Sequence, residues 1–237
     1  MIKIDQVTKK FGKLKALNAV SLSLDSGECY ALIGPNGCGK TTLIKSLLGM
    51  VIPSEGHILF DGTNIKNNWQ YRDQIGYMPQ IGRYPDNMTI GQVLNMMQDI
   101  RKMPEDKLDQ DMGQLFGIQN LLHKKMSTLS GGTRQKVSAC LAFMFDPPVL
   151  ILDEPTAGLD PLSVELLKEK IHREKVKNKL IIITSHVLSE LDDLVTRVIY
   201  MNEGQVALHT SIEQLRMDTG EDRLAKAIAQ VMTNQPA

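Results

Sequence analysis

The sequence predicts an α/β fold with a mainly parallel core sheet, an antiparallel N-terminal β part and an inserted helical subdomain. Three observations lead to this prediction. Short aliphatic runs of strand length alternate with helical spacings near both ends of the chain. A glycine-rich loop joins one such run to a helix. In the middle of the chain, strand patterns give way to methionine-rich and leucine-rich helical spacings.

The N-terminal part predicts strands at a sheet edge followed by a buried strand. Residues Ile2 to Val7 and Val20 to Leu24 alternate between apolar and polar, which is typical of half-exposed antiparallel strands. The run Cys29 to Ile33 is apolar throughout and predicts a buried strand. After a glycine-rich loop, the apolar spacing of TTLIKSLLGM predicts a helix that ends at Gly49. This segment is therefore a strand, loop and helix unit.

The remaining elements extend the α/β pattern, and we expect the later strands to be parallel. The predicted strands are His57 to Phe60, Ile75 to Met78, Val149 to Leu152, Leu180 to Thr184, Val198 to Met201 and Gln205 to His209. We interpret the 237 residues as a single domain, with residues 1–88 and 146–215 as its catalytic core. Residues 89–145 form the predicted helical subdomain, and residues 216–237 form a short helical tail.

The composition narrows the possible partners. Lys plus Arg equals Asp plus Glu at 27 each, so the chain lacks the basic excess typical of nucleic-acid binding. The three cysteines have none of the spacings of a zinc site or disulfide framework, which favours a reducing compartment. The sequence shows no signal peptide and no apolar run long enough to span a membrane. Any role in transport must therefore use a membrane path supplied by another polypeptide.

The loop GPNGCGKT, residues 34–41, matches GxxxxGK[ST] between a predicted strand and helix, which identifies a P-loop NTPase. Backbone amides of such a loop and the helix N-terminus bind phosphate oxygens. The predicted phosphate-binding residues are Gly34, Pro35, Asn36, Gly37, Cys38, Gly39, Lys40, Thr41 and Thr42. Lys40 would reach the β- and γ-phosphates, and the Thr41 hydroxyl would bind Mg²⁺. The alternative is a glycine-rich turn that merely starts a helix.

A separate expectation concerns the Cys38 thiol, which lies close to Lys40 in the sequence. This setting should favour the thiolate and hence reaction with alkylating reagents. The alternative is that Cys38 is only a small residue that fits the loop.

A second motif, VLILDEP at residues 149–155, is an aliphatic strand that ends in two acids. Next to a P-loop, it supplies Asp153 to hold Mg²⁺ through its water shell and Glu154 to polarise the attacking water. The alternative is an acidic turn exposed to solvent.

A third motif, LSGGTRQ at residues 129–135, places Ser130, Gly131 and Gly132 directly before a helical stretch. It is a second candidate helix start for binding an anion. A P-loop, a downstream LSGG and the DEP of VLILDEP in this order resemble the ABC ATPase superfamily, over nearly the whole chain.

The resemblance implies ATP and Mg²⁺ as cofactors and a head-to-tail homodimer in which one subunit's LSGG segment closes over the other's γ-phosphate. It also implies that Gln80 senses Mg²⁺ and the membrane partner, that Ala157 to Asp160 cross the dimer interface, and that His186 contacts the γ-phosphate. A histidine at a strand end is otherwise most often a surface residue. Because Phe11 stands where the family often has an adenine-stacking Tyr, its ring would keep the stacking, unless it only packs at the sheet edge. Thr133 stands where the family usually has Gln.

The resemblance favours an energy-coupling subunit, cytoplasmic and peripheral on the inner face of the cell membrane. Separate permease subunits would dock near Ile81 to Thr89, where Arg83, Tyr84 and Pro85 would form part of a groove. Alternatively, this segment is a solvated connector. The segment DEPTAGLDP resembles the ATPases of ABC-2-type exporters. The segment ITSHVLSELDDLVTRVIYMNEG resembles cassettes associated with copper-enzyme maturation, including nitrous-oxide reductase assembly.

Two other functions compete with this interpretation. The first is a soluble ABC ATPase acting in translation or DNA maintenance, but the sequence has neither tandem cassettes nor a long coiled coil. The second, a P-loop kinase or GTPase, does not account for LSGGT, and the sequence has no NKxD-type guanine motif.

Overall fold

The computed structural model describes residues 1–234 and divides into two compact units. Unit 1 comprises residues 1–72 and the segment that begins at Leu180, and unit 2 comprises Asp73–Lys179. The predicted helical subdomain, residues 89–145, lies wholly in unit 2, and its standing as a separate subdomain stays a prediction. Residues 235–237 of the predicted tail lie outside the described residues.

In chain order the strands and helices are β1 (Ile2–Phe11), β2 (Leu14–Leu24), β3 (Cys29–Ile33), α1 (Lys40–Leu47), β4 (Glu55–Phe60), β5 (Thr63–Asn64), β6 (Ile75–Met78), α2 (Ile90–Arg101), α3 (Asp111–Leu115), α4 (Gly131–Phe143), β7 (Val149–Asp153), α5 (Pro161–Val176), β8 (Leu180–Thr184), β9 (Arg197–Asn202), β10 (Gln205–Ser211), α6 (Ile212–Thr219) and α7 (Leu224–Asn234).

The antiparallel N-terminal β part is confirmed. Strands β2, β1, β4 and β5 form one sheet in that order, and each neighbouring pair is antiparallel. Ile2 and Ile4 pair with Leu24 and Leu22, and all four side chains are buried. The alternation in the sequence therefore places one face of this hairpin in the core.

A second group of strands in unit 1 has the order β10, β9, β3 and β8. Strand β3 is parallel to both β8 and β9, and all residues of β3 and β8 are buried. The expectation of parallel strands is wrong for β10, which pairs with β9 antiparallel. Only Glu203 and Gly204 connect the two strands, both at positive φ. A connection of this length closes a hairpin, whereas a parallel return needs a crossover of a dozen or more residues.

Unit 2 contains β6, β7 and the helices α2 to α5. Strands β6 and β7 are parallel, with Ile75 opposite Val149 and Met78 opposite Leu152. Helix α2 begins with a capping box between Thr89 and Gln92. Because β6 and β7 are parallel, both end at the same edge of the sheet, and the loops that follow them leave from that edge.

A buried charged cluster in unit 2 was not anticipated from the sequence. The ammonium of Lys170 lies 2.5 Å from a carboxylate oxygen of Asp109 and 3.0 Å from one of Glu174. Lys179 lies 2.5 Å from oxygens of both Glu174 and Asp146. Because each of the three carboxylates has a lysine partner, the cluster is an ion-pair network that links α5 to the segments before α3 and β7.

Candidate active site

The glycine-rich loop of unit 1 runs from the end of β3 to the start of α1, as predicted. Gly34 has φ +146°, and a Cβ there would lie 2.2 Å from the Met201 carbonyl oxygen. Gly39 has φ +110°, and a Cβ there would lie 2.6 Å from the Ala16 carbonyl oxygen. Since β9 and β2 hold these carbonyls in place, only glycine fits at either position. The loop is therefore a backbone-lined cradle.

The N-terminus of α1 has the character of a phosphate site. No side chain caps this helix, and its first turn holds no acidic residue. Its first amides are therefore available to an anion, and the helix dipole favours one. Lys40 donates hydrogen bonds to the carbonyls of Gly34 at 2.6 Å and Pro35 at 3.1 Å, so its ammonium lies over the loop. Thr41 is exposed and Thr42 half-buried in the same turn.

The Cys38 side chain is buried, whereas a reactive thiol needs access to solvent. Its side chain is only 3% exposed, and a Cβ on Gly34 would lie 2.7 Å from its sulfur. The sulfur thus fills space that the glycine leaves open. Burial shields the thiol from alkylating reagents, which favours the alternative that a small residue is needed there. The Cys38 amide donates a hydrogen bond to the Pro35 carbonyl at 3.3 Å.

Phe11 and His186 also lie in unit 1. Phe11 is 50% exposed at the end of β1, and the Lys9 ammonium lies 5.0 Å from its ring centroid. Its ring is therefore available for stacking and does not belong to the core. His186 is exposed two residues after Thr184, which pairs with Leu32 in the neighbouring strand β3. The histidine segment and the glycine loop therefore leave the same edge of the sheet.

In unit 2, β7 places two acids at its end. Asp153 is buried as the last residue of the strand, and Glu154 follows at φ +49° in the left-handed region. A side chain at this φ is uncommon and marks a constrained position. The Glu154 carbonyl accepts hydrogen bonds from the Ala157 amide at 3.1 Å and from the buried side chain of Gln135 at 3.3 Å. Helix α4 therefore holds the backbone of the candidate catalytic glutamate.

Gln80 lies at the same edge of unit 2. It is exposed two residues after Met78, which pairs with Leu152 of β7. Tyr77 also belongs to this edge: burial raises its pKa to about 12, and the negative charge of Asp153 adds to the shift. The structure thus groups Gln80 with the loop after Asp153.

Ser130 caps α4 and therefore sits at a helix N-terminus, as predicted. Its hydroxyl accepts a hydrogen bond from the Thr133 amide at 3.2 Å and lies 2.9 Å from the Thr133 hydroxyl. A Cβ on Gly131 would meet nothing within 4 Å, whereas one on Gly132 would lie 2.6 Å from the Gly158 carbonyl oxygen. Gly132 thus allows close approach of the segment Ala157 to Asp160. Thr133, which stands where the resembled family usually has Gln, places its own hydroxyl next to that of Ser130.

Asp160 caps α5 and is tied to α4. Its carboxylate lies 2.8 Å from the Lys136 ammonium and accepts hydrogen bonds from the amide and hydroxyl of Ser163. Lys136 and Ser163 hold the pKa of Asp160 well below its usual range. Sequence reasoning missed Lys136 and Gln135, because their partners lie 24 and 19 residues away along the chain.

The predicted site residues thus form one group on each unit. Unit 1 holds Phe11, residues 34–42 and His186, and unit 2 holds Gln80, Ser130, Gly131, Gly132, Asp153, Glu154 and Asp160. Within residues 1–234, none of the helices has the length and apolarity that a bilayer crossing requires.

A glycine cradle before α1, an acidic strand end after β7 and a second glycine-rich helix start at α4 define a P-loop NTPase of the cassette type. Comparisons with known proteins agree. The family described as ABC transporter matches residues 17–157. The chain is 33% identical over 231 residues to the glycine betaine/carnitine/choline transport ATP-binding protein OpuCA of Bacillus subtilis (strain 168), covering 93% of this chain and 60% of that relative.

A second relative, the Nod factor export ATP-binding protein I of Burkholderia lata, is 32% identical over 203 residues, covering 84% of this chain and 67% of that protein. A solved structure of the ATP-binding subunit of an ABC transporter superposes with a TM-score of 0.91 at 26% identity, covering 98% of this chain and 99% of that one. The chain therefore belongs to the ABC transporter family.

Proposed function

We propose that this chain hydrolyses ATP as a head-to-tail dimer and drives a membrane transporter, with export as the direction of transport. The observation that carries the proposal is the presence of two helix starts suited to phosphate: α1 behind the glycine cradle and α4 behind Ser130. A single nucleotide site needs only one such helix start. The second is explained if each copy offers it to ATP held by the other.

The cradle residues bind the phosphates of ATP. Gly34 and Gly39 leave room that a Cβ would fill, and the uncapped amides of α1 face the loop. Lys40 exchanges its hydrogen bonds to loop carbonyls for bonds to the β- and γ-phosphates. The exposed ring of Phe11 stacks on the adenine.

The donor set also fits Mg²⁺, which takes oxygen ligands and keeps several waters. Thr41 of unit 1 would offer an exposed hydroxyl, and in unit 2 Asp153 would offer a carboxylate and Gln80 an amide oxygen. When bound, the ion neutralises charge on the phosphates. Asp153 would hold the ion through its water shell.

Glu154 accepts the proton of the attacking water, and His186 contacts the γ-phosphate. The left-handed backbone conformation of Glu154 and the hydrogen bond from Gln135 to its carbonyl fix the position from which the side chain extends. In the dimer, Ser130 and Gly131 of one copy meet the γ-phosphate held by the other. The neighbouring Thr133 hydroxyl orients that of Ser130.

Export as the direction is supported by the relative named for Nod factor export and by the DEPTAGLDP resemblance. Coupling to a permease places the chain on the inner face of the cell membrane. The likeness to copper-enzyme maturation cassettes stays a prediction.

The permease contacts unit 2 around Ile81 to Thr89. Ile81 is 67% exposed and Arg83 is exposed, whereas the Tyr84 hydroxyl lies 2.8 Å from that of Ser138. Tyr84 therefore acts as a fixed wall and not as a free anchor. It lines a cavity of about 260 Å³ together with Met97, Phe145 and other residues of unit 2. An exposed apolar residue beside a preformed groove suits a partner's cytoplasmic helix.

Unit 1 offers a second surface of similar character. Ile52 is 63% exposed and Trp69 is 65% exposed, and both line a cavity of about 450 Å³. Lys66 and Arg72 also line it, and its described lining contains no acidic side chain. We assign this surface to an acidic segment of the same permease.

Substituting Glu154→Gln tests the catalytic proposal. The amide keeps the shape but accepts no proton, so hydrolysis should fall by about 100-fold or more while MgATP still binds. Nucleotide binding and steady-state turnover of the purified complex measure the two effects. Glu169→Gln, an exposed glutamate on α5, is the matched control. Turnover near the wild-type value would remove Glu154 from the catalytic role.

Permease docking is tested by Ile81→Ser combined with Arg83→Ala. Both side chains are exposed, so co-purification with the membrane subunit should weaken while nucleotide binding by the isolated chain is retained. Ile100→Ser, 65% exposed on α2, is the matched control. Unchanged complex formation would move the docking surface elsewhere. Failure to recover any membrane partner would favour a soluble ABC ATPase.

A further inference from the structure

The segment that follows His186 is a short ordered connection within unit 1. The Ser185 hydroxyl accepts a hydrogen bond from the Val187 amide at 2.9 Å, and a 3-10 turn spans Leu188–Glu190. Leu191 and Leu194 are then buried at 2% and 3% exposure. The exposed histidine is thus followed by a segment whose far end is anchored in the core.

The C-terminal helix α7 packs against this segment. One face of α7, formed by Leu224, Ala227 and Ile228, is buried, and the helix contacts the 3-10 turn and α6. The spacing of these three residues is that of a helix stripe facing a core. An isolated helix of 11 residues is marginal in water. The order of α7 therefore depends on what it packs against.

A specific hydrogen bond joins the two elements. Asp192, two residues after the 3-10 turn, accepts a hydrogen bond from the Leu224 amide at 2.7 Å. Leu224 is the first residue of α7, so the carboxylate satisfies one of the free amides at the helix start and opposes the helix dipole with negative charge. The cap comes from the histidine segment, 32 residues earlier in the chain.

We propose that α7 positions His186, with Asp192 as the positioning residue that fastens the tail to the histidine segment. Whatever stabilises α7 on the segment stabilises the segment under α7, because coupling between two elements is reciprocal. Displacement of the tail therefore slows hydrolysis without weakening ATP binding at the glycine cradle. The inference rests on the proposed role of His186 and gives the C-terminal tail a positioning role in hydrolysis.

The test compares Asp192→Ala with Asp193→Ala in the 237-residue chain. Asp193 is an exposed neighbour of the same charge, so the pair separates the helix cap from a change in net charge. Loss of a helix cap in Asp192→Ala should lower kcat about fivefold while KM for ATP changes by less than about twofold. Asp193→Ala should match the wild type. Asp192→Asn retains a capping oxygen and should restore most of the activity.

Two further measurements distinguish failure of this inference from failure of the proposed role of His186. Deletion after Gly220 removes α7 and should lower kcat at least as much as Asp192→Ala; unchanged kcat in this deletion overturns the inference. In a His186→Ala background, Asp192→Ala should have no additional effect, because the cap acts through the histidine. An additive loss in the double variant also overturns it. If His186→Ala alone keeps wild-type turnover, the proposed role of His186 is wrong, whatever the tail does.

Discussion

Replacing Lys170 by Met should destabilise the protein strongly, although the residue lies outside the candidate active site. The Lys170 side chain is 1% exposed, and its ammonium pairs with Asp109, Asp111 and Glu174. Met has a similar length and no charge, so the change removes the ammonium with little change in volume. The carboxylates of Asp109 and Glu174, at 11% and 1% exposure, then remain buried with one fewer cation.

The expected loss follows from breaking a buried ion pair by removing one partner, which costs about 3–5 kcal/mol. For a chain of this size, about 4 kcal/mol corresponds to a fall in Tm of roughly 8–16 °C. The matched control is Lys168→Met on the same helix, whose partner Glu165 is 66% exposed. An exposed pair of this kind is worth about 0.5 kcal/mol.

Thermal unfolding followed by calorimetry and circular dichroism measures both variants. A loss below about 1 kcal/mol in Lys170→Met, or one equal to that of Lys168→Met, would refute the reasoning. It would mean that the carboxylates of Asp109, Asp111 and Glu174 do not depend on the Lys170 ammonium.

The same cluster predicts a dependence on pH. Burial by itself raises the pKa of Glu174, but hydrogen bonds from Lys179, Lys177 and Lys170 outweigh it and lower the pKa from 4.5 to about 2. A carboxylate with a lowered pKa in the folded state contributes stability that is present above its unfolded pKa and is lost as the pH falls through its folded pKa. A shift of this size corresponds to roughly 3 kcal/mol. Wild-type stability should therefore fall between about pH 4.5 and pH 2, and less steeply in Lys170→Met.

Two further predictions concern the proposed dimer. A Lys40→Ala chain mixed with a Ser130→Arg chain should regain part of the hydrolysis that both homodimers lose, because one site then combines an intact cradle with an intact serine; a mixed dimer as inactive as its parents would contradict the shared site. Gly132→Ala should lower hydrolysis about tenfold, because its Cβ would lie 2.6 Å from the Gly158 carbonyl oxygen. Gly91→Ala, where a Cβ would meet its neighbour at 3.4 Å, is the control. Equal turnover in these two variants would show that Gly158 can move away.

Much of the fold and of the site was predictable from local sequence. The apolar run Cys29 to Ile33, the glycine loop and α1 follow one another as expected. Ser130 caps α4 because a serine before a helical spacing is a strong start signal. These features depend on residues a few positions apart, whose preferences act wherever the segment lies.

Other features could not be read from the sequence, since they depend on which segments meet. The aliphatic pattern of β10 is the same for either strand direction, and the hairpin at Glu203 and Gly204 decides it. Tyrosine is a residue type common among interface anchors, but the Tyr84 hydroxyl is hydrogen-bonded to that of Ser138, 54 residues away. The burial of Cys38 depends on the missing side chain of Gly34.

The sequence by itself determined the class of chemistry, because phosphate binding needs a backbone conformation and a helix start that contiguous residues such as Gly34 to Thr41 specify. Only the tertiary structure decided what supports that chemistry. Lys170 meets Asp109 across 61 residues, and Asp192 caps a helix 32 residues further along. Lysine and aspartate are ordinary surface residues in a sequence. Their roles arise only when the folded chain excludes water from around them and gives each charge its partner.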